Sequence, residues 1–559
     1  MLKRILVCTN FYPPFFIGGA EIIAHHQARL LQKSGYKVAV FCGKHDDSFR
    51  HYSLTRETYD GIDVFRVILH TQNYQIGNNF RNSAVDDAFD AVVEEFRPDV
   101  IHFHNIVNLS LGIVARAHRH GIRTVLTLHD HWGFCFKNTL LKYQEQVCND
   151  YSKCGECLPE LIDSRGRRLH IRMRQDYIAW QLAKVDRFVS PSSYLASSYV
   201  KAGIPDQKIS VISNGVNVDR FSQITKIPLK KGVRFTFIGY LGFHKGVHIL
   251  IKAMELLLKR GYLGKVCTVN IVGAGTMTDE LANFVKANQI DAAVKLWGKV
   301  EHSQIEKVYQ HTDVLVTPSI WPENEPVTIL EAMAAGIPVL ASALGGNLEL
   351  VTDGVTGCLF EPGNAQMLAD KMVEIALNRD RIKSMGHQAY KKVADNTLDK
   401  YIRRIVEVYE DKEQTSMTKC NQHKHIILCS GDHVSPECAH VIDQFRQQDG
   451  NNRYWFVMSD WIEPEDWENV DLVWIVDNNG KERDLRESMK WGRSLLVPEQ
   501  NQKLVDICRH SQCGLFYKDE IEAEVCLNYL IDRPSLLATF GQNAKSAGEA
   551  GLSNLSYVL

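Results

Sequence analysis

The sequence has little net charge and no long apolar run, and both features exclude classes of protein. Among its 559 residues, 64 are Lys or Arg and 66 are Asp or Glu, so the formal net charge is −2. A charge balance this even argues against a nucleic-acid-binding protein and against an acidic tail protein. The apolar runs are shorter than the ~18–20 residues that a membrane-spanning helix needs. We therefore expect neither a nucleic-acid partner nor a transmembrane helix.

The amino terminus lacks the features of a secretory signal. Residues 1–9 carry two basic residues and an apolar run, but this run is too short for a signal peptide. Residues 10–14 are typical of a turn rather than of a cleavage site, so residues 1–9 are expected to contain a first buried strand. Without a signal, the chain is predicted to be cytoplasmic, and most of its 14 cysteines are predicted to be reduced core thiols.

Short runs rich in β-branched residues alternate with helical patterns, which is typical of α/β proteins with parallel sheets covered by helices. A chain of 559 residues is too long for one hydrophobic core, so two or three domains are expected. The first series of predicted strands comprises residues 4–8, 37–42, 100–104, 124–129, 187–191 and 209–212. The second series comprises residues 234–238, 269–272, 294–297, 313–317, 338–341 and 357–360. A turn signal in residues 213–217 separates the two series, and we place a domain boundary there, between residues 1–215 and 216–410.

The last part of the chain repeats characteristic residues of the second series. Residues 411–424 are polar and have no hydrophobic period, which predicts a linker. Five positions of the second series have counterparts beyond it at a nearly constant offset. These pairs are Asp313 and Asp471, Glu331 and Glu487, Gly336 and Gly492, Gly357 and Gly514, and Gly386 and Gly541. We interpret residues 425–559 as a shortened, degenerate copy of the second domain, with an unrelated α/β domain as the alternative.

The segment from Pro318 to Pro338 is the one best suited to chemistry. A predicted strand ends at its start, a loop follows, and a helix is expected to begin near Pro326, since proline is favoured in a first helical turn. Free backbone N–H groups and the helix dipole at such a start attract phosphate. Glu323 lies in the loop and Glu331 lies one turn into the helix. One carboxylate can thus face a ribose and the other a sugar, although two solvated glutamates would give the same pattern.

This segment resembles a known family signature. Glu323 and Glu331 are separated by seven residues, and Ala332-Met-Ala-Ala-Gly-Ile-Pro-Val339 follows. The pattern is similar to that of family 4 retaining glycosyltransferases, also called group 1 glycosyl transferases, which have the GT-B fold. The resemblance extends from the first strand to about residue 405. It implies two Rossmann-like domains facing a cleft, with residues 1–215 on the acceptor side and residues 216–410 binding the donor. The internal repeat predicts a third, partial Rossmann-like domain beyond them.

The resemblance assigns roles to the residues of the segment. Glu331 would hold the ribose hydroxyls of a nucleotide-diphosphate sugar, and Glu323 would lie beside the transferred sugar. The backbone amides of Val327 and Thr328 would meet the diphosphate. No metal or other cofactor is implied, because the nucleotide sugar is itself the co-substrate.

Two further segments are expected at the carboxyl ends of strands, where ligands bind in open α/β sheets. Gly18 and Gly19 follow the first predicted strand, and glycines there allow the backbone to approach a ligand closely. By resemblance this loop faces the donor diphosphate. His129 matches the family's histidine that contacts the sugar, and it is the leading catalytic candidate together with Glu323. His104 is a weaker candidate, and His102 is expected to be a packing residue.

The phosphate-binding basic pair of the family is only half present. The family pattern has Gly-Arg-Leu followed after three residues by Lys-Gly, whereas this sequence has Tyr240 in the arginine position and retains Lys245 and Gly246. Tyrosine cannot replace a permanently charged, bidentate guanidinium. The loss of one charge-assisted hydrogen bond costs roughly 1.5–3 kcal/mol. Either another cation compensates or the donor binds more weakly.

Four cysteines depart from the pattern of scattered core thiols. Cys154 and Cys157 have the spacing of a metal-ligand pair, whereas Cys135 and Cys148 precede them at irregular intervals. Two interpretations stay open, a structural zinc site formed by these four thiols and a set of free thiols.

A basic, aromatic-containing stretch follows the cysteines. It consists of Arg165, Arg167, Arg168, Arg172, Arg174, Tyr177 and Trp180. Such a stretch can lie on an anionic membrane surface, which would place the protein peripherally at the inner face of the membrane. A solvated basic helix is the alternative.

The sequence as a whole predicts a glycosyltransferase that transfers a sugar from a UDP- or GDP-type nucleotide sugar to an acceptor hydroxyl with retention. By analogy with the family, the acceptor is a glycan or a lipid-linked oligosaccharide in surface polysaccharide or glycolipid biosynthesis. Two alternatives are a GT-B nucleotide-sugar epimerase and a non-catalytic protein that binds sugar nucleotides or glycans. Residues 479–481, which match the position of Glu323, contain no glutamate. The third domain is therefore expected not to bind a donor, and to act in packing, assembly or acceptor contact.

Overall fold

The computed structural model describes residues 3–15, 18–71, 80–142, 146–158, 160–162, 167–228, 232–411, 424–448, 454–477 and 481–550. Three sheets, built wholly or mainly from parallel strands, organise these residues. The predicted linker at residues 411–424 lies almost entirely outside the described residues.

The first sheet has eight strands. Its strands and those of a small neighbouring hairpin are β1 (Arg4–Thr9), β2 (Lys37–His45), β3 (Leu54–Tyr59), β4 (Ile62–Leu69), β5 (Val100–Phe103), β6 (Arg123–Thr127), β7 (Glu160–Ile162), β8 (Arg168–His170), β9 (Arg187–Ser190) and β10 (Ile209–Val211). The helices are α1 (Gly19–Lys33), α2 (Ser83–Phe96), α3 (Gly112–Arg119), α4 (Cys154–Cys157), α5 (Ile171–Ala183) and α6 (Ser193–Lys201). The strand order is β10-β9-β6-β5-β1-β2-β4-β3, with β3 antiparallel to β4, and β7 pairs antiparallel with β8.

The central strands of this sheet are apolar without alternation because both faces are covered. Strand β5 is buried along its whole length and β1 along nearly all of it, as in other parallel sheets. The hairpin of β3 and β4 is an addition that the sequence analysis missed. Asp60 and Gly61 at its turn both have positive φ angles, so the Asp-Gly dipeptide between two β-rich runs was the available signal.

The second sheet has six parallel strands. They are β11 (Val233–Ile238), β12 (Cys267–Val272), β13 (Val294–Gly298), β14 (Val314–Thr317), β15 (Val339–Ser342) and β16 (Gly357–Phe360), in the order β13-β12-β11-β14-β15-β16. The helices are α7 (Val218–Ser222), α8 (Val247–Lys259), α9 (Thr278–Ala287), α10 (Ile305–Gln310), α11 (Val327–Ala334), α12 (Asn347–Leu350), α13 (Ala365–Leu377), α14 (Arg379–Val393) and α15 (Leu398–Glu410). Helix α15 returns to pack on the first sheet, where Tyr401 and Tyr409 bond to Gln27 of α1.

The third sheet has five parallel strands. They are β17 (His425–Ser430), β18 (Tyr454–Met458), β19 (Leu472–Ile475), β20 (Ser494–Pro498) and β21 (Gly514–Tyr517), in the order β18-β17-β19-β20-β21. The helices are α16 (Pro436–Gln448), α17 (Glu482–Trp491), α18 (Gln502–Ser511), α19 (Glu520–Ile531) and α20 (Pro534–Glu549). This order equals that of the second sheet without the strand corresponding to β13.

The second and third sheets also share a close helix–glycine contact. A Cβ atom on Gly386 would lie 2.2 Å from the carbonyl oxygen of Gly336, which follows α11. A Cβ atom on Gly541 would lie equally near, 2.2 Å, from the carbonyl oxygen of Gly492, which follows α17. Both helix pairs therefore need a glycine at the crossing, which gives a physical reason for two of the sequence matches.

The basic stretch around α5 is buried, so both interpretations of it are wrong for Arg167, Arg172 and Arg174. Arg172 and Arg174 are 1% and 3% exposed, and Arg167 pairs with Asp460 of the third sheet's unit at 3.0 Å. A side chain enclosed in this way contacts neither solvent nor a lipid surface. Of the remaining basic residues, Arg168 is exposed and Arg165 lies outside the described residues.

Helix α5 instead covers the edge of the third sheet. Arg172 donates to the backbone oxygen of Tyr454 at 3.3 Å, and Asp176 accepts from the backbone N–H of Phe456 at 3.0 Å. Arg172 and Asp176 also pair with each other at 3.1 Å. In the second sheet, the counterpart of β18 is β12, which pairs with β13. Among the described residues, the third sheet has no strand in that place, and side chains of the first unit form hydrogen bonds with the backbone at the edge of β18 instead. The third unit therefore packs directly against the first unit through buried hydrogen bonds and ion pairs.

Asp86 of α2 is fully buried and gives a pH-dependent prediction. Burial raises the pKa of Asp86 to about 7, although the Ser110 hydroxyl, Arg81 and Arg116 lower it in part. A raised pKa stabilises the fold at low pH, and this contribution is lost as the pH rises through 7. Between pH 5.5 and 8, wild type should lose about 2 kcal/mol of unfolding free energy that Asp86→Asn does not lose, at about 1.4 kcal/mol per pH unit below pH 7. The stability of Asp86→Asn relative to wild type should therefore increase by that amount.

Denaturant unfolding of both proteins at the two pH values measures this difference. The matched control is Asp87→Asn, because Asp87 is the next residue on α2 and its side chain is 71% exposed. Its stability relative to wild type should not change with pH. A pH-independent difference for Asp86→Asn would contradict the assignment of a buried, protonated carboxyl.

Candidate active site in the interdomain cleft

The loop between β14 and α11 holds both predicted glutamates, and its shape depends on two glycines. The backbone N–H of Gly346 donates to the carbonyl oxygen of Glu323 at 2.6 Å. A Cβ atom on Gly346 would lie 1.8 Å from the carbonyl oxygen of Asn324, and one on Gly345 would lie 2.4 Å from that of Glu323. The Gly-Gly turn therefore fixes the backbone of this loop, and with it the position of Glu323.

Glu323 is paired with Lys245 at the centre of the site. The Lys245 Nζ lies 2.8 Å from Oε1 and 3.0 Å from Oε2 of Glu323, and Ser319 donates to Oε1 at 2.6 Å. Burial alone would raise the pKa of Glu323, but Lys245 and the hydrogen bonds from Ser319 and Trp321 lower it below the ordinary value. Two residues predicted from separate motifs are thus brought together as an ion pair.

Gly246 explains how Lys245 reaches Glu323. Gly246 has a φ of +73°, and a Cβ atom there would lie 1.8 Å from the carbonyl oxygen of Pro318. Only glycine permits this approach, so the Lys-Gly sequence places the ammonium group against the end of β14.

The start of α11 provides backbone N–H groups beside this pair. The helix begins at Val327, and Pro326 before it gives no side-chain cap. The first N–H groups of a helix have no partner within it, so those of Val327 and Thr328 remain available to a ligand from outside. Together with the ammonium group of Lys245 they favour an anion.

Glu331 is buried on α11 with its carboxylate already bonded on both oxygens. His302 lies 2.6 Å from Oε1, and the Tyr309 hydroxyl donates to Oε2 at 2.8 Å. A carboxylate can accept about four hydrogen bonds, so each oxygen keeps a lone pair for a further donor. Sequence reasoning did not find His302 and Tyr309, which lie 29 and 22 residues away from Glu331.

His129 lies at the end of β6 and joins the two sides of the cleft. Its backbone oxygen accepts from the side-chain amide of Asn324 at 2.8 Å, which directly connects the first unit to the glutamate loop. Burial lowers the pKa of His129 to about 4, so the imidazole is neutral at pH 7. The structure thus brings His129 next to the loop that carries Glu323.

Two further histidines come from the neighbouring strand: His102 lies on β5, and His104 directly follows it. His104 Nδ1 is 2.8 Å from His129 Nε2. His102 is fully buried and bonds to Gln27, Tyr409 and Thr127, which confirms the expectation of a packing role.

Gly18 and Gly19 form the start of α1 on the first unit. Within the described ranges, a Cβ atom on either glycine would meet no atom within 4 Å. The backbone N–H of Gly18 donates to Glu21 at 2.9 Å. The contact of this loop with a donor stays a prediction.

Tyr240, in the position of the expected arginine, is 49% exposed and packs on His244 at 6.0 Å between ring centroids. His244 is itself adjacent to Lys245. The tyrosine supplies no cation. Of the two basic positions in the family motif, this chain therefore keeps only Lys245, which contacts Glu323.

Glu325 is a site residue that the sequence analysis overlooked. It accepts from the Ser213 hydroxyl at 2.5 Å and from the backbone N–H of Asn214 at 2.6 Å, in the segment that connects the first two units. Burial raises its pKa to about 8. The acid lies two residues before Val327 and ties the start of α11 to this connection.

The structure gives no support to a zinc site at Cys135, Cys148, Cys154 and Cys157. In the part of the chain that the structure describes, no group of three His, Cys, Asp or Glu side chains is placed to hold a metal ion. Cys154 instead accepts from Gln175 at 2.8 Å, and all four cysteines remain as thiols.

A search of the helices in the described ranges finds none with the length and apolarity to span a membrane.

Comparisons with known proteins identify the family. Residues 17–220 match the profile of "Glycosyltransferase Family 4", and residues 219–392 match that of "Glycosyl transferases group 1". A glycogen synthase of Mycobacterium tuberculosis is 25% identical over 380 residues, which cover 66% of this chain and 84% of that protein. The putative colanic acid biosynthesis glycosyltransferase WcaL of Salmonella typhimurium is 28% identical over 231 residues, 40% of this chain and 56% of its own length.

A solved structure gives the same result for the fold. The Anabaena protein Alr3699/HepE, in complex with UDP and glucose, superposes with a TM-score of 0.53 at 18% identity, over 74% of this chain and 100% of that one. This likeness confirms the predicted GT-B arrangement of two Rossmann-like units about a cleft. The two family matches meet at residues 219–220 and cover both units, and the chain belongs to glycosyltransferase family 4.

Proposed function

We propose that the protein transfers a sugar from a nucleotide-diphosphate donor to an acceptor hydroxyl with retention of anomeric configuration. The observation that carries this proposal is the convergence of Lys245, Glu323 and the start of α11 at one point of the cleft. The diphosphate would lie on the N–H groups of Val327 and Thr328, with Gly18 and Gly19 opposite. Glu331 would accept the ribose hydroxyls.

The chemistry follows from this placement. The bond between the anomeric carbon and the phosphate oxygen breaks, and the acceptor oxygen bonds to that carbon on the same face. The acceptor proton passes to the departing phosphate oxygen. Negative charge develops on the diphosphate, so the ammonium group of Lys245 and the helix N–H groups supply the main catalytic stabilisation. In this proposal these groups neutralise the leaving group without a metal ion.

The donor and acceptor classes rest on relatives. Alr3699/HepE binds UDP and glucose, which favours a UDP-type donor over the GDP-type alternative. WcaL is described as a colanic acid biosynthesis enzyme, and this favours a glycan or lipid-linked acceptor in polysaccharide synthesis. With α5 buried, a peripheral membrane position has no support from the basic stretch.

We also propose that residues 425–559 are a degenerate copy of the donor-binding domain, residues 216–410, and that this copy binds no donor. The shared strand order and the paired glycine contacts support a common origin. Asp460, which follows β18, is held by Arg167 of the first unit at 3.0 Å. The copy would serve to stabilise the acceptor-side domain, residues 1–215.

Product analysis with a panel of radiolabelled UDP- and GDP-sugars tests the proposed reaction. The full chain is incubated with each donor and with oligosaccharide or lipid-linked acceptors, and Glu323→Gln serves as the inactive control. A new α- or β-glycoside that keeps the donor's anomeric configuration, formed together with free nucleoside diphosphate, is expected. An isomerised nucleotide sugar would establish an epimerase, and binding without turnover, which the presence of Tyr240 favours, would establish a non-catalytic protein.

A further inference from the structure

His104 and His129 form a hydrogen-bonded pair of imidazoles at the cleft wall. Their facing nitrogen atoms, His104 Nδ1 and His129 Nε2, lie 2.8 Å apart, and the two rings are inclined by only 23°. Burial lowers the pKa of both rings far below 7, so each carries a single N–H. One of the two facing nitrogens must then donate and the other must accept.

The second nitrogen of His104 decides which ring donates. His104 is fully buried, and its Nε2 has no hydrogen-bond partner among the described residues. If His129 donated, the proton of His104 would lie on Nε2 and would be buried without an acceptor. Orphaned N–H groups of this kind are rarer in proteins than unused acceptors. The proton of His104 therefore lies on Nδ1 and points at His129.

The neighbouring His102 cannot reverse this order. It packs on His104 with ring centroids 4.8 Å apart, but its own nitrogens are both engaged. Nδ1 lies 2.9 Å from the Gln27 amide nitrogen and 2.6 Å from the Tyr409 hydroxyl, so its single lone pair is used there, and Nε2 then donates to Thr127. His102 thus has neither a proton nor a lone pair to offer to His104.

We propose that His104 is a positioning residue that fixes His129 as the tautomer protonated on Nδ1. With its Nε2 accepting from His104, His129 presents an N–H group on its other nitrogen, and this nitrogen has no bond to any described residue. His129 then acts on the substrate as a hydrogen-bond donor to an oxygen of the transferred sugar, and it has no lone pair with which to accept a proton. The inference rests on the proposed function and specifies the role of His129 within it.

The tautomer can be measured without activity. Long-range 1H–15N correlation spectra of the full chain labelled with [15N]histidine distinguish a protonated Nδ1 from a protonated Nε2 in each ring. The signals of the pair are assigned by their loss in His129→Asn and His104→Asn. Protonation of Nδ1 in both rings is expected, whereas a protonated Nε2 in His129 would overturn the proposal.

Kinetics of two variants test the consequence. In His104→Asn the side-chain amide can place an N–H near the former Nδ1, so kcat should stay within about threefold of wild type. In His104→Leu the donor to His129 is lost, and kcat should fall about 10- to 100-fold with little change in the donor KM. His102→Gln is the matched control, since it disturbs an equally buried ring that does not touch His129, and it should lower Tm without lowering kcat.

Equal kcat values for the Asn and Leu variants would contradict the positioning role. If the protein formed no glycoside with any donor, the proposed function would fail, but the tautomer spectra would still report on the pair. The two failures are therefore distinguishable.

Discussion

Replacement of Lys245 by alanine is expected to lower kcat by about 100- to 1000-fold, the usual loss when a preorganised group that stabilises transition-state charge is removed. In the structure the ammonium group is bonded to both oxygens of Glu323. In the reaction it would also face the departing diphosphate, for which Tyr240 offers no second charge. The measurement is kcat at saturating donor, with the donor KM determined in parallel.

A second variant separates catalysis from stability. Removal of Lys245 leaves the buried Glu323 carboxylate without its cation, which raises its pKa and destabilises the fold. The double variant Lys245→Ala with Glu323→Gln removes that stranded charge and should recover most of the lost Tm, but not kcat. Lys371→Ala is the matched control, because Lys371 forms an ion pair of similar length, 2.9 Å, with Glu374 on the surface of the same unit. Wild-type turnover in Lys245→Ala would refute the assignment.

Replacement of Arg172 by alanine is expected to reduce the free energy of unfolding by about 3–5 kcal/mol, which is typical when one partner of a buried ion pair is removed. Arg172 and Asp176 are 1% and 2% exposed. The variant leaves the Asp176 carboxylate uncompensated and removes the donors to the backbone oxygens of Ile442 and Tyr454. Denaturant unfolding of the full chain measures the loss.

Arg486→Ala provides the comparison for this variant. Arg486 and Glu482 have the same four-residue spacing on α17, but their side chains are 51% and 52% exposed. Exposed pairs of this type contribute about 0.3–0.5 kcal/mol. A loss of similar size in Arg172→Ala would show that the contact between α5 and the third sheet does not hold the units together.

Most strands of the two main sheets could be predicted from the sequence because the central ones are buried on both faces and largely apolar, whereas β3 and β4 were missed. Glu323 and Glu331 could be located because their loop and helix are adjacent in the sequence. The partners of Glu331 could not, since Tyr309 on α10 and His302, which precedes that helix, are distant in the sequence and reach the carboxylate only in the folded chain. The resemblance predicted Lys245 as a donor-binding residue, and the structure places its ammonium group against Glu323 of this loop; its contact with a donor stays a prediction.

The basic stretch shows a different limit. Arg172 and Arg174 give the same sequence signal whether they face lipid, water or protein. The backbone partners of Arg172 lie some 270 to 280 residues further along the chain. Charge and spacing on one helix cannot reveal a distant strand edge. A comparison of strand number between the second and third units, in contrast, would have indicated an uncovered edge at β18.

A structure of the full chain with bound nucleoside diphosphate tests the central claim most directly. The account predicts diphosphate oxygens within hydrogen-bond distance of the Val327 and Thr328 backbone nitrogens and of Lys245 Nζ, with the ribose hydroxyls on Glu331. Density for the nucleotide elsewhere, with the start of α11 and the carboxylate of Glu331 left untouched, would contradict it.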